Sequence, residues 1–491
     1  KHQIHWKICS LDEKLIQAEF IFPVVNISWQ THPVMTGMVS GLLPANNQSN
    51  RMKRHYRFLI KIIIGMGLSL LVAQDPFVLD SAGTGSITQS IANSIQITDV
   101  NNDGVNDIIL SGYDSTRFGV FLDVMLGSSD GSLSQGYQTN FNTYPDTIAE
   151  YLGGIGGIDL ADVNRDGWMD LYLSGSGLSK LYINSSGSFN ISNNLPSMYL
   201  SYSDGKWGDV NMDGAPDLFV MGVTSTDQIL NELYINNDTS LDKDLTTIFP
   251  SLFNGNSAWG DYDNDGDPDL IICGQTADKT ASVTRFYQNE PTGRLSELTT
   301  ADAVGGLKSG AFHFADLDAD GDQDIIMSGW NKIQGKLVTW ILRNEPLGSF
   351  SLIPDQIDFA VAYGTIDAID YNLDGLKDFV IAGADSVTFY AGKVHSLSGR
   401  VYLNNGDGTF SSIKEIPGAR VARFVDVDQD SIPDLIASGT TEIGNDSSTF
   451  SHVYLNTTEG VNHPPEAPSA LTAFAVSTRA IFSWGAGTDD I

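Results

Sequence analysis

The chain has 491 residues, enough for two or three ordinary domains or one large repeat domain. Its 60 acids against 27 bases give a formal net charge of -33, which argues against nucleic acid or an anionic membrane surface as partner, because both would be repelled. A content of 41% hydrophobic and 10% aromatic residues argues for a folded core rather than an acidic disordered chain, and two cysteines, Cys9 and Cys273, make neither a disulfide framework nor a zinc site.

Residues 1–51 show no sustained period and no repeat, and are expected to be a non-native or unstructured extension. From Met52 the pattern changes. A basic head (Lys53, Arg54, Arg57) precedes an apolar stretch from Phe58 to Ala73, broken only by Lys61. Leu71-Val72-Ala73 suits a cleavage site, so residues 52–74 are predicted to be a secretory signal peptide. The uninterrupted part, Ile62 to Ala73, falls short of the roughly 20 residues that a spanning helix needs. A secreted or cell-surface location follows, with no membrane insertion after cleavage. Residues 1–74 hold eight bases and three acids, so the remaining chain has 19 bases and 57 acids, a net charge of -38.

Beyond this point one nine-residue pattern, D-x-[DN]-x-D-[GS]-x-x-D, occurs seven times, at steps of 47 to 63 residues. Each copy is followed by a β-like apolar run ending in Gly, such as Leu171-Tyr-Leu-Ser-Gly175. Most repeats then carry a second run ending in Asn, such as Leu233-Tyr-Ile-Asn236. An aromatic residue commonly stands two before the first Asp (Trp207, Trp259, Phe314, Phe424). No long helical period appears. Four short antiparallel strands per repeat describe a propeller blade, and seven repeats describe a closed ring without exposed sheet edges. The predicted fold is an all-β, seven-bladed β-propeller over residues 75–460.

The acidic loops are read as metal sites. Oxygens at positions 1, 3, 5 and 9, with a carbonyl at position 7, suit Ca²⁺, which prefers hard oxygen ligands and tolerates irregular coordination. The candidate ligands are Asp99, Asn101, Asp103 and Asp107 in the first copy, and Asp162, Asn164, Asp166 and Asp170 in the second. The third has Asp209, Asn211, Asp213 and Asp217, and the fourth has Asp261, Asp263, Asp265 and Asp269. The fifth has Asp316, Asp318, Asp320 and Asp324, the sixth Asp370, Asn372, Asp374 and Asp378, and the seventh Asp426, Asp428, Asp430 and Asp434. Ser431 replaces the turn Gly in the seventh, so a strained turn and a weaker site are expected there. Position 12 is apolar in all seven copies (Leu110 to Ala437), which removes the Glu that an EF-hand needs. About seven Ca²⁺ would carry the charge of the processed chain from -38 to -24.

These motifs, most fully Trp259-Gly-Asp-Tyr-Asp-Asn-Asp-Gly-Asp-Pro-Asp269 and Val401-Tyr-Leu-Asn-Asn-Gly-Asp-Gly-Thr-Phe410, resemble the FG-GAP/VCBS repeats of integrin α-subunit propellers and of many bacterial secreted proteins. The resemblance implies calcium in the loop joining strands 1 and 2 of each blade. Residues 461–469 form a Pro-rich linker, and residues 470–491 resemble the first strands of a truncated fibronectin type III-like domain.

No catalytic constellation stands out. The four His after residue 74 form no metal pair, and the acids are engaged in the loops. A binding or adhesion module for a protein or glycan is therefore expected, not an enzyme. The alternative is a calcium-dependent polysaccharide lyase, which should gather Lys, Arg, His and Tyr on one face. Two further expectations concern the ring. Phe77-Val78-Leu79 should pair beside Val453–Leu455 as the missing outer strand of the last blade. The ligand face should lie opposite the acidic loops, in the 2–3 loops that carry Tyr113, Arg117, Trp330, Phe389 and Tyr390.

Overall fold

The computed structural model describes residues 75–87, 89–114, 119–141, 155–175, 178–195, 198, 200–238, 240–290, 293–298, 305–345, 347–353, 356–388, 393–440, 448–458, 472–476 and 479–483. The extension, the signal segment and the linker lie outside the described residues.

Seven four-stranded antiparallel sheets follow one another along the chain. Blades one to six span residues 91–141, 155–191, 200–243, 252–297, 307–353 and 362–417. Blade seven takes three strands from residues 419–456 and a fourth from Phe77–Asp80. The first strands line the centre. Each contacts the first strand of the next blade, and that of blade seven contacts that of blade one, so the ring is closed. The second strands are buried along their length, as in Asp170–Gly175, which explains their continuous apolar runs. Outer strands alternate, as in Ser188–Ile191, where only Phe189 is buried.

The core is divided among seven clusters, one at each blade-to-blade interface. The aromatic residue two before the loop in blades three, four, five and seven is one reason. A Cβ on Gly208 would come within 2.7 Å of the Trp259 ring, and one on Gly260 within 2.7 Å of Phe314. Each glycine is thus needed to let the next blade's aromatic lie against the inner strand.

Ring closure follows the expected exchange. Phe77, Val78, Leu79 and Asp80 pair antiparallel with Asn456, Leu455, Tyr454 and Val453. Phe77 is buried, 5.2 Å from the Tyr371 ring and 6.1 Å from Phe424, while Val78 and Leu79 face outward. A short helix, Ser81–Ser86, whose first turn is capped by Asp80 Oδ2 on the Gly83 amide (2.6 Å), leads into blade one.

Two expected loop residues are strand residues instead. Tyr113 belongs to Asp107–Asp114, and Trp330 belongs to Asp324–Asn331, where it pairs with Lys308 and Leu337. In blade five the 2–3 connection is a tight turn closed by Gly335 N–H to the Asn331 carbonyl (2.9 Å), so the ladder runs past the Gly that was taken as the strand end. In blade six the 2–3 connection expected to carry Phe389 and Tyr390 is flanked by long strands, Asp378–Thr388 and Lys393–Asn404, which form the longest hairpin arm among the described residues. After the propeller the structure describes one antiparallel hairpin, Thr472–Val476 with Arg479–Ser483.

Candidate metal centre

Every acidic loop joins strand 1 to strand 2, so all seven fall on one rim. Each is wound by its own side chains. The position-1 carboxylate accepts from the position-6 amide in every copy, for instance Gly266 N–H to Asp261 Oδ2 (3.0 Å), and the position-5 carboxylate accepts from the position-7 amide. Six position-6 glycines have φ between 86° and 96°. At five of the six a Cβ would meet nothing within 4 Å, so Gly is required by φ and not by space.

Ser431 adopts φ 70° at the same place, the strain expected from the sequence. In the other six blades the second oxygen of the first Asp accepts from the position-5 amide. In blade seven Asp430 N–H instead approaches Asp428 (3.4 Å), and Asp426 Oδ1 is buried with no partner. Position 4 is also left-handed in all seven copies (φ 53–63°), although it is glycine in none of them.

Position 9 is a buried joint more than a surface ligand. Its two oxygens accept from the position-2 amide and from an amide at the end of strand 3: Asp269 takes Tyr262 N–H (3.1 Å) and Asn289 N–H (2.8 Å). Burial pushes these carboxyls up, Asp170, Asp217 and Asp324 to about 6, Asp269 and Asp434 to about 7, and Asp378 to about 8. Asp107 is raised by the same cause.

The Asn that closes strand 3 has a role that the sequence left unassigned. Its Nδ2 donates to the position-2 carbonyl of the preceding blade: Asn184 to Val100, Asn236 to Val163, Asn289 to Val210, Asn344 to Tyr262, Asn404 to Leu317 and Asn456 to Tyr371, all at 2.6–2.9 Å. Blade one has Gly127 there. The loops are therefore both candidate metal sites and the docking points of the next blade.

Carboxylate oxygens converge within 4.8 Å in three loops: Asp261, Asp263 and Asp265; Asp316, Asp318 and Asp320; Asp426, Asp428 and Asp434. These are the copies with Asp at position 3. In three of the four blades with Asn at position 3, blades one, two and six, its amide Nδ2 donates to the position-5 carboxylate at 2.9–3.0 Å. Blade four adds Asp267, which the motif did not assign and whose carboxyl is pushed up to about 6 by burial and by Asp265. Asp263 Oδ1 and Asp267 Oδ1 are buried without a hydrogen-bond partner. Orphaned carboxylate oxygens among like charges can be satisfied by a cation, and a cluster offering only oxygen could hold a hard divalent ion.

Of the expected ligand-face residues, Arg117, Phe389 and Tyr390 lie outside the described residues. Tyr113 and Trp330 sit at the far ends of second strands, on the rim away from the acidic loops. A different group is brought together in the centre. A cavity of about 400 Å³ inside the ring is lined by Lys206, His313, Tyr363, Arg420 and Arg423, with Trp207 and Trp259. Two of its cations are matched: Lys206 lies 3.5 Å from Asp159 and 3.8 Å from Asp204, and Arg423 lies 2.9 Å from Asp367. Sequence spacing could not assemble these residues, because they come from blades three to seven.

Seven four-stranded blades closed by a strand exchange, each with an acidic 1–2 loop, define a seven-bladed β-propeller of the acidic-loop type. Residues 99–173, 162–220, 209–272, 261–327 and 370–437, more than half of the chain, match the FG-GAP-like repeat, and the chain belongs to that family. Likeness to integrin α propellers holds only at the level of repeat and architecture. No curated protein matches the sequence. Among solved structures, the chain is similar to the BP39L lectin from Burkholderia pseudomallei, with 10% identity over 77% of this chain and 99% of that chain and a TM-score of 0.49. It is also similar to AofleA from Arthrobotrys oligospora, with 12% identity over 70% and 96% and a TM-score of 0.39. These are likenesses of fold alone.

Proposed function

We propose that the protein is a secreted propeller, braced by calcium at its acidic loops, that binds a protein or glycan ligand without transforming it. The observation that carries the metal reading is the pair of buried, unpartnered oxygens Asp263 Oδ1 and Asp426 Oδ1, each inside a convergent carboxylate cluster. Calcium fits better than magnesium, because the ligand sets are all-oxygen, irregular and different from blade to blade. Among the described residues no helix is long and apolar enough to cross a membrane. Residues 52–74 then act as the cleaved signal, and the hairpin within 472–483 as the start of a fibronectin type III-like domain. On this reading the ligand meets the rim opposite the loops, where the blade-six arm projects. A glycan array and a pull-down from the native environment, each with and without calcium, test it. The double variant Trp330→Ala, Tyr390→Ala should fold, keep its calcium and lose the captured ligand; unchanged binding places the ligand elsewhere.

A second reading, a lyase acting on an acidic polysaccharide, draws on the central cavity. Lys206, His313, Tyr363, Arg420 and Arg423 are the residue types that such chemistry gathers, and burial holds His313 below its ordinary pKa, as a base requires. The matched Asp159, Asp204 and Asp367 weigh against it, since they already neutralise Lys206 and Arg423. Appearance of an unsaturated product from an acidic polysaccharide, abolished by His313→Ala, would favour it over the binding module.

A further inference from the structure

The fifth loop differs from its sisters in one respect. Arg343, on the third strand of blade five immediately before Asn344, places Nη1 2.6 Å from Asp318 Oδ2 and 2.6 Å from Asp324 Oδ2. These are positions 3 and 9 of the loop. The guanidinium is buried (side chain 8% exposed), so its charge is not spent on solvent. The corresponding residue is Ile183, Ile235, Leu403 or Leu455 in four other blades, and Gln288 in blade four. Gln288 Nε2 donates to Asp263 Oδ2, so this place on strand 3 does face the loop. Only blade five puts a permanent cation there. The two loops most like it, in blades four and seven, keep unpartnered buried carboxylate oxygens, whereas Asp318 and Asp324 are bridged.

We propose that blade five is neutralised by Arg343 in place of a metal ion, so that its acidic loop, although its sequence motif is complete, takes up no calcium. A divalent ion would draw on Asp318, one of the three converging carboxylates of this loop, and would sit within a few ångströms of a buried guanidinium that cannot give up its proton. One monovalent group then does in blade five what a soluble ion does elsewhere, and that blade holds its shape when calcium is withdrawn. The geometry agrees: a buried guanidinium bridging two carboxylates makes charge-assisted hydrogen bonds to both, the arrangement in which a buried charge is tolerated. This inference rests on the metal reading above.

The experiment counts calcium bound per chain at saturation, by metal analysis after equilibrium dialysis of the full chain. Arg343→Met should bind one more Ca²⁺ than the native protein. Asp320→Asn, which keeps the acceptor for the Asp322 amide and leaves Arg343 in place, should leave the native count unchanged, whereas Asp265→Asn in blade four should lower it by one. The Asp320 comparison stands even if the Arg343 variant does not fold. A native chain that binds no calcium refutes the metal reading and this inference with it. A native chain that binds calcium but loses one ion on Asp320→Asn, or gains none on Arg343→Met, refutes this inference alone.

Discussion

Replacing Phe77 by Ala tests how the ring is held shut. Phe77 is 3% exposed and packs in the blade six–seven cluster against Tyr371 and Phe424. Removing a buried Phe side chain costs about 3–5 kcal/mol through lost transfer energy and the cavity left behind. The lower end applies here, about 3 kcal/mol, because the strand lies at the outer edge, where neighbours relax more easily. Val78, one residue on, is 56% exposed, and Val78→Ala should cost less than about 0.5 kcal/mol. The backbone is unchanged in both variants, so the pairing of Phe77–Asp80 with Val453–Asn456 is not itself removed. Urea unfolding in saturating calcium should resolve the two variants. On heating, about 3 kcal/mol corresponds to a fall of roughly 5 °C for a domain of this size. The weakened strand should also detach more readily, leaving the third strand of blade seven as a free edge, so Phe77→Ala should self-associate on concentration. Equal losses for the two variants, or no loss for Phe77→Ala, would show that the exchanged strand does not close the ring through its buried face.

Three further outcomes follow from the loops. Chelation should lower the melting temperature sharply, since a ligand bound only by the native state stabilises it by mass action, and a chelator that leaves the melting curve unmoved contradicts the metal reading. Asn289→Ala breaks the donation to the Val210 carbonyl and should cost about 1–3 kcal/mol by urea midpoint, with a similar loss in chelator because no metal is involved. Gly266→Ser forces a side chain into φ 95° and should cost about 1–2 kcal/mol, whereas Ser431→Gly at φ 70° should gain less than about 1 kcal/mol; the reverse order would refute the argument that φ selects glycine at this position.

Much of this architecture could be read from the chain because each blade repeats a local signal. The acidic loop announces itself in seven copies, and the apolar runs after it are buried second strands, as in Leu218–Val220. The missing outer strand of blade seven and the unassigned Phe77–Leu79 required each other. What could not be read depends on contacts between blades. The Asn at the end of strand 3 is visible as a recurring Tyr-x-Asn, but its acceptor lies 73 to 87 residues away in the preceding blade. Arg343 looks like an ordinary surface cation until register turns it toward Asp318. Trp330 lies in a strand rather than a loop because the ladder continues past the Gly that closes the apolar run, through Asn331.

The clamp and the loop share atoms, and this predicts where the ring is weakest. In the loops of blades one to six the position-2 residue is held from both sides: its amide by the position-9 Asp of its own blade, its carbonyl by the Asn of the next blade. Order in one loop is thus passed to the following blade. The chain of clamps runs from blade one to blade seven and stops, because Gly127 offers no side chain to the Val427 carbonyl of blade seven. That seam relies on other contacts. Ser438 Oγ accepts from the Ala92 amide (2.9 Å) and donates to the Ser90 carbonyl (2.8 Å), and the Gln89 side chain reaches the Ser451 backbone (3.0 and 3.1 Å). These partners lie at the end away from the acidic loops, and among the described residues no side-chain hydrogen bond ties the loop end of the seam, so opening should begin there. Hydrogen exchange under native conditions should find the amides of Val427 and Gly127 less protected than their counterparts Val210 and Asn289 at the clamped interface of blades three and four. Ser438→Ala should widen that difference, because it removes the Ala92 and Ser90 contacts together. Uniform protection around the ring would mean that the Asn clamps contribute nothing to holding the blades together.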